Sequence, residues 1–328
     1  MESSLQPVQS MHSGAAELAH VSAIAAIFSI SLNALLIGAI SNRSPEMLRY
    51  RVVACISVIV DILFSLLHVI NVPIFVSIQG TFLFYPARLD GSTHANWISL
   101  ALFCYLCVCT IFVVTNRFFY RYAQICSPAL YSFISNPCFI IFFLLSSVLA
   151  CASITTIGMS IFLPHKTFAN QICIQFNTVL HANFCDKVFL GGSVEETLEN
   201  PQAMILVCIF LSGVFSAIGM ILFFGKQIHM TVSSMNFSPI CQKIHRKTLR
   251  ILIVQVLIPI IFIYFPIAIN VFSVVIYMNT LNITFILSYF IVIFPLANAA
   301  SHLYFIKDYR AFVFGIIFRP LIKVAGEN

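Results

Sequence analysis

Charge is scarce in this chain. Asp, Glu, Lys and Arg make up 9% of its 328 residues, where a soluble domain carries about 25%. Because 60% of the residues are hydrophobic and 33 are Phe, a water-facing fold could not hide the apolar surface. Catalytic signatures are missing too. Neither HExxH nor GxSxG occurs, and only His68 and His302 lie well inside apolar stretches. That leaves no convergent metal ligands and no nucleophile with its base, so no catalytic residue, metal or cofactor is expected. The last apolar stretch contains no Lys, which excludes a retinal-type pigment. No internal repeat is visible, which argues against a transporter built from two halves. After Ser301 there is neither Ser nor Thr. Regulatory Ser/Thr phosphorylation is therefore expected, if anywhere, among Thr231, Ser233, Ser234, Ser238 and Thr248.

What the chain has instead is seven long apolar stretches: His20–Ile40, Val52–Val76, Trp97–Thr115, Pro137–Phe162, Met204–Phe224, Leu249–Val275 and Phe285–Phe305. About 20 helical residues, rising 1.5 Å each, cross a hydrocarbon core of about 30 Å. The fold expected is all-α, a single bundle of seven membrane-spanning helices over 1–328. Residues 306–328 form a short tail, with an apolar helix along the membrane surface over Asp308–Lys323. The first stretch is too long for a signal-peptide core and no small-residue cleavage site follows it, which predicts a retained signal anchor.

Charge placement predicts the orientation. With the N-terminus outside, the inner segments hold all the Lys and Arg except Arg88, Lys166 and Lys187, as the positive-inside rule requires. The outer segments then hold Glu2, Glu17, Asp90, Asp186, Glu195, Glu196 and Glu199, and Asp61 stays within the membrane. Such a basic face sits naturally beside anionic lipid and calls for no nucleic-acid partner. Of eleven cysteines, Cys173 and Cys185 share the long outer loop 163–203. They close a disulfide hairpin over the bundle, stay as free thiols, or one of them pairs with Cys104. Asn282-Ile283-Thr284 is the one glycosylation sequon expected outside.

Few residues are placed to carry function. Asp61 is the one acid well inside a stretch, where a charge costs about 2.5–3.5 kcal/mol, so it must face the bundle. Asn33 and Asn298 share its depth, and the three predict a polar cluster holding water or a sodium ion. The same Asp61 in protonated form would equally serve as interhelical glue. Pro259 and Pro266, seven residues apart, free the carbonyls of Gln255 and Phe262 and predict a hinge or a fixed kink. In the outer half, His68, Asn71, Phe103, Tyr105, Tyr264, Asn270, Ser288 and Tyr289 offer aromatic walls with a few polar anchors, as small-molecule sites need. No buried Lys or Arg is expected to pair with an anionic ligand, so a small, neutral, fairly apolar molecule is the natural occupant. The third stretch ends in Asn116-Arg117-Phe118-Phe119-Tyr120-Arg121-Tyr122. This places Arg121, with five fixed donors, at the inner mouth, and leaves Arg117 as one of the topology charges.

In order and spacing, several pieces resemble the nematode serpentine chemoreceptors of the Str superfamily, with the Srd and Str families as the nearest candidates. They are Ser44-Pro45 and Leu48-Arg49-Tyr50, then Asp61, Phe119-Tyr120-Arg121-Tyr122, Gln255-Val256-Leu257-Ile258-Pro259, Pro295, and Tyr304 through Arg310. The resemblance covers nearly the whole chain. It implies an olfactory-type receptor for a small-molecule odorant or metabolite in the plasma membrane of a sensory-neuron cilium, signalling through a heterotrimeric G protein. Tyr120, Arg121, Tyr122, Lys247, Arg250, Lys307 and Arg310 are the inner-face residues placed to meet that partner. Tyr120 stands where the common G-protein-receptor pattern has an acid, which puts an acidic lock on Arg121 in doubt. A ligand-gated channel subunit is the rival reading, although odorant channels of the insect type run with the N-terminus inside. A non-signalling interaction protein is the other alternative.

Overall fold

The computed structural model describes residues 6–43, 48–88, 93–134, 136–164, 169, 170, 172, 174, 188–234 and 239–325. Cys173 and Cys185 lie outside the described residues. Eleven α-helices are described: α1 Gln6–Arg43, α2 Leu48–Asn71, α3 Thr93–Cys126, α4 Pro128–Ile134, α5 Pro137–Phe162, α6 Val194–Glu199, α7 Pro201–Ser234, α8 Pro239–Pro259, α9 Phe265–Val275, α10 Thr284–Phe305 and α11 Lys307–Ala325. A five-residue π turn, Ile260–Tyr264, joins α8 to α9. Seven helices among the described residues are long and apolar enough to cross a membrane: α1, α2, α3, α5, α7, the composite of α8, π turn and α9, and α10. The fold class is the one expected.

Helix starts follow local chemistry. Asn136 caps α5, its side chain accepting from the Cys138 amide at 3.0 Å, and Pro137 occupies the first turn, where no amide is needed. Asn200 does the same for α7, accepting from the Gln202 and Ala203 amides. α5 and α7 present most of their apolar surface outward, with Phe142, Leu149, Phe215 and Leu222 exposed, as faces turned to lipid would be.

The structure corrects the second apolar stretch. α2 ends at Asn71, not Val76, and Pro73–Ile78 is a strand, β1. Pro73 has no amide to continue a helix, and Val72 turns the chain at φ 45°. β1 pairs antiparallel with β2, Thr81–Pro86, through a two-residue turn at Gln79 and Gly80, φ 48° and 77°, the geometry of a tight hairpin. β3, Leu190–Ser193, adds to the other edge of β2. All six residues of β1 are buried, because this sheet plugs one end of the bundle. Ile74, Val76, Ile78, Leu83 and Tyr85 pack on α1 and α10 around Leu18, Ala25 and Val292. Phe75 and Phe84 face the other way, onto Phe64, Leu100, Phe103 and Phe294. A strand buried on both faces is apolar throughout, so it lacks the alternation that separates strand from helix.

The hairpin has a second tether at this sheet end. The Ser77 amide donates to Thr280 Oγ1 at 2.8 Å, and the Thr280 amide donates to the Ser77 carbonyl at 2.9 Å. Thr280 Oγ1 donates in turn to Asn270 Oδ1 at 3.3 Å. Thr280→Val keeps the shape but leaves the buried Ser77 amide and Asn270 oxygen unpaired, a cost of about 1–3 kcal/mol. A lower thermal midpoint in detergent is expected. An unchanged midpoint would mean the tether carries no weight.

At the opposite, basic end, helices outrun the stretches read from composition. α3 was expected over 97–115 but runs unbroken to Cys126, because no breaker intervenes before Ser127-Pro128. α7 reaches Ser234 and α8 begins at Pro239. α11 packs Tyr309 and Phe312 against Leu36, Ala39 and Ile40 of α1.

Candidate functional site

Three levels of the bundle hold the candidate residues. Beneath the sheet, Phe64, His68, Phe84, Phe103 and Phe294 form an aromatic box. The Phe64 ring lies 5.2 Å from Phe103 and 5.4 Å from Phe294, His68 lies 5.9 Å from Phe103 edge-on, and Phe84 roofs Phe103 at 5.9 Å. Of the eight residues expected to line a ligand site, His68 and Phe103 meet here. Tyr105 and Tyr264 pack against the same cluster, while Tyr289 packs on the opposite face of the sheet.

The polar members are engaged elsewhere. Asn71 exchanges two hydrogen bonds with Ser99, and Asn270 donates to the Pro266 carbonyl while accepting from Thr280. Ser288 donates to the Thr284 carbonyl. Tyr264 donates to the Cys107 carbonyl at 3.1 Å and meets Thr110 at 2.8 Å, which ties the π turn to α3. These four brace the scaffold; their type and depth resembled anchors, but only tertiary partners reveal a bond already spent.

The middle level holds a group the sequence reading placed elsewhere. Arg117, expected among the topology charges, is 4% exposed inside the bundle. Its guanidinium donates to Ser57 Oγ of α2 and to Gln255 Oε1 of α8 at 3.2 Å, and meets His302 Nε2 of α10 at 3.1 Å. A buried Arg therefore exists, in the basic half of the bundle. The overlooked signal was spacing: Arg117 and Arg121 are four apart, on one face of an unbroken helix.

The triangle Arg117–Gln255–His302 cannot be fully satisfied. Gln255 Nε2 meets His302 Nδ1 at 3.2 Å, so both ring nitrogens face donors. A neutral imidazole has one acceptor nitrogen. Turning the Gln255 amide over mends that contact but sets a donor against the guanidinium. Two of the three bonds form in either arrangement, so the joint between α3, α8 and α10 is held below its full strength.

Asp61 lies beside this joint. It accepts from Asn298 Nδ2 at 2.6 Å and feels the charge of Arg117. Asp61, Arg117, Gln255, Pro259 and Asn298 line one small cavity. Asn33, expected in the same cluster, is separated from Asp61 by two serines and reaches only its backbone. Its amide donates to Ser29, whose hydroxyl meets Ser65, and Ser65 donates to the Asp61 carbonyl. The Arg117 charge acts on Asp61 at the level where the cluster was expected to hold water or a sodium ion. The two prolines bracket the π turn: Pro259 closes α8 and Pro266 sits in the first turn of α9.

At the basic end, Arg121 is 8% exposed and donates to Gln124 at 2.7 Å, and its charge reaches His245 of α8. Tyr120 meets Tyr131 of α4 at 3.3 Å, and Tyr122 packs on Phe223 and Phe224 of α7. Lys247, Arg250, Lys307 and Arg310 are exposed. No group of His, Cys, Asp and Glu suited to a metal occurs among the described residues.

Comparison with known proteins adds a family. The curated proteins yield no match. The family model for the serpentine type 7TM GPCR chemoreceptor Str matches residues 18–314, which takes in all seven spans, the hairpin and the Arg117 joint. With its seven-span bundle and this match over most of its length, the chain belongs to the Str family of serpentine seven-transmembrane GPCR chemoreceptors.

Proposed function

We propose that this protein is a chemosensory receptor that binds a small neutral molecule in the sheet-end half of its bundle and activates a heterotrimeric G protein at its basic end. The N-terminus and sheet face outward and α11 faces the cytosol, in line with the charge distribution. The observation that carries the reading is the Arg117 joint, which ties four spans at the level where the sixth span turns from α to π. A ligand that repositions Phe103 or Tyr264 acts on α3 and the π turn, and the under-satisfied contact with Gln255 lets α8 release. Tyr120, Arg121, Tyr122, Lys247, Arg250, Lys307 and Arg310 then receive the Gα subunit. Asn33, Asp61 and Asn298, with Pro259 and Pro266, form the repacking layer between. The family resemblance supports a sensory-cilium membrane as the site of action.

The test is a screen of small volatiles and metabolites in cells with verified surface display, recording Gα dissociation and membrane current together, with and without added Gα. A response that needs Gα and is lost in Arg121→Ala is expected. A ligand-evoked current that persists without Gα overturns the reading.

A further inference from the structure

His68 is the odd group in the aromatic box. It is 2% exposed, yet neither ring nitrogen has a hydrogen-bond partner among the described residues. Its ring neighbours are Phe64 at 6.5 Å and Phe103 at 5.9 Å. Asn71, one turn further along α2, has both ends of its amide committed to Ser99. Asp61, the acid on the same helix, lies seven residues away, about 10 Å by helical rise, and is held by Asn298. An unpaired buried polar group is destabilising, and native proteins rarely keep one without a use.

We infer that His68 is the polar anchor of the ligand site, and that the occupant is a small, neutral, oxygenated molecule of alcohol, ketone or ester type. The inference rests on the receptor reading for its biological sense and on the box alone for its chemistry. An uncharged imidazole offers one donor and one acceptor, so it donates a hydrogen bond to a carbonyl or accepts one from a hydroxyl. The remainder of the molecule lies against Phe64, Phe103 and the roof formed by Phe84, which stacks on Phe75 at 4.1 Å. A charged ligand is disfavoured, because a bare ion among these aromatic rings pays its full desolvation cost.

The experiment uses the full chain in lipid nanodiscs without Gα, so that its outcome is independent of coupling. Thermal midpoints are measured with 1-hexanol, 2-hexanone, ethyl butyrate or hexane present. At least one oxygenated compound is expected to raise the wild-type midpoint by about 2–4 °C, and hexane not to. His68→Phe is expected to match or exceed the wild-type midpoint without ligand and to lose the rise, with binding weakened at least about tenfold. Should that variant not reach the membrane, the imidazole ¹⁵N signal of His68, assigned through His68→Gln, must shift with the same compound. No rise with any oxygenated compound, an equal rise with hexane, or a rise retained in His68→Phe each overturns the inference. Loss of Gα coupling with the rise intact sinks the receptor reading alone.

Discussion

Arg117→Met is expected to lower stability by about 1–3 kcal/mol for each buried polar partner it leaves unpaired. The substitution does more than delete donors. It strips Asp61, 3% exposed, of the guanidinium charge acting on it, and leaves Ser57, Gln255 and His302 without their common centre. The decisive measurement is a double-mutant cycle with Asp61→Asn. If the two charges are coupled, the double variant recovers at least half of the single variant's loss, because no uncompensated charge remains. Additive losses would mean Arg117 acts through its hydrogen bonds alone. In the receptor reading, Arg117→Met also raises basal Gα dissociation, since α8 loses its link to α3 through Gln255.

How much of this was legible beforehand varies from residue to residue. The spans were, because seven runs near 20 residues admit one architecture in lipid. Asp61 was as well: a lone acid in a hydrocarbon layer must find a polar partner, and it found Asn298. Arg117 was misread because counting charges by loop assigns every basic residue near a helix end to the surface. The length of α3 is set by the next breaker, Ser127-Pro128, not by the last apolar residue. β1 was misread for a different reason. Val-Pro-Ile-Phe-Val is apolar on both faces because the sheet is a plug, and periodicity carries no information where every side is buried. Among the eight residues read as a ligand lining, His68 and Asn71 look alike in type and depth. What separates them is Ser99, which is 28 residues away in sequence, and no local pattern announces such a partner.

Pro259→Ala is the second variant expected to act strongly, in the opposite direction to Arg117→Met. A proline inside a helix is disfavoured by about 3 kcal/mol relative to alanine, through its missing amide and its clash with the preceding turn. Here that penalty sits next to Ile260–Tyr264, where the Phe265 amide reaches back five residues to the Ile260 carbonyl. Alanine restores the amide and favours a straight α-helical continuation of α8. At 1.4 kcal/mol per tenfold, the whole term amounts to about two powers of ten in the balance between straight and bent forms. The thermal midpoint should rise. Because Tyr264 is bonded to Thr110 and Cys107 from within the π turn, straightening also rotates that hydroxyl away from α3. In the receptor reading the maximal agonist response falls several-fold while surface display holds. A variant with a raised midpoint and a full response would make the π turn a passive kink. One with an unchanged midpoint would show that packing against α3 and α10, not Pro259, dictates the bend.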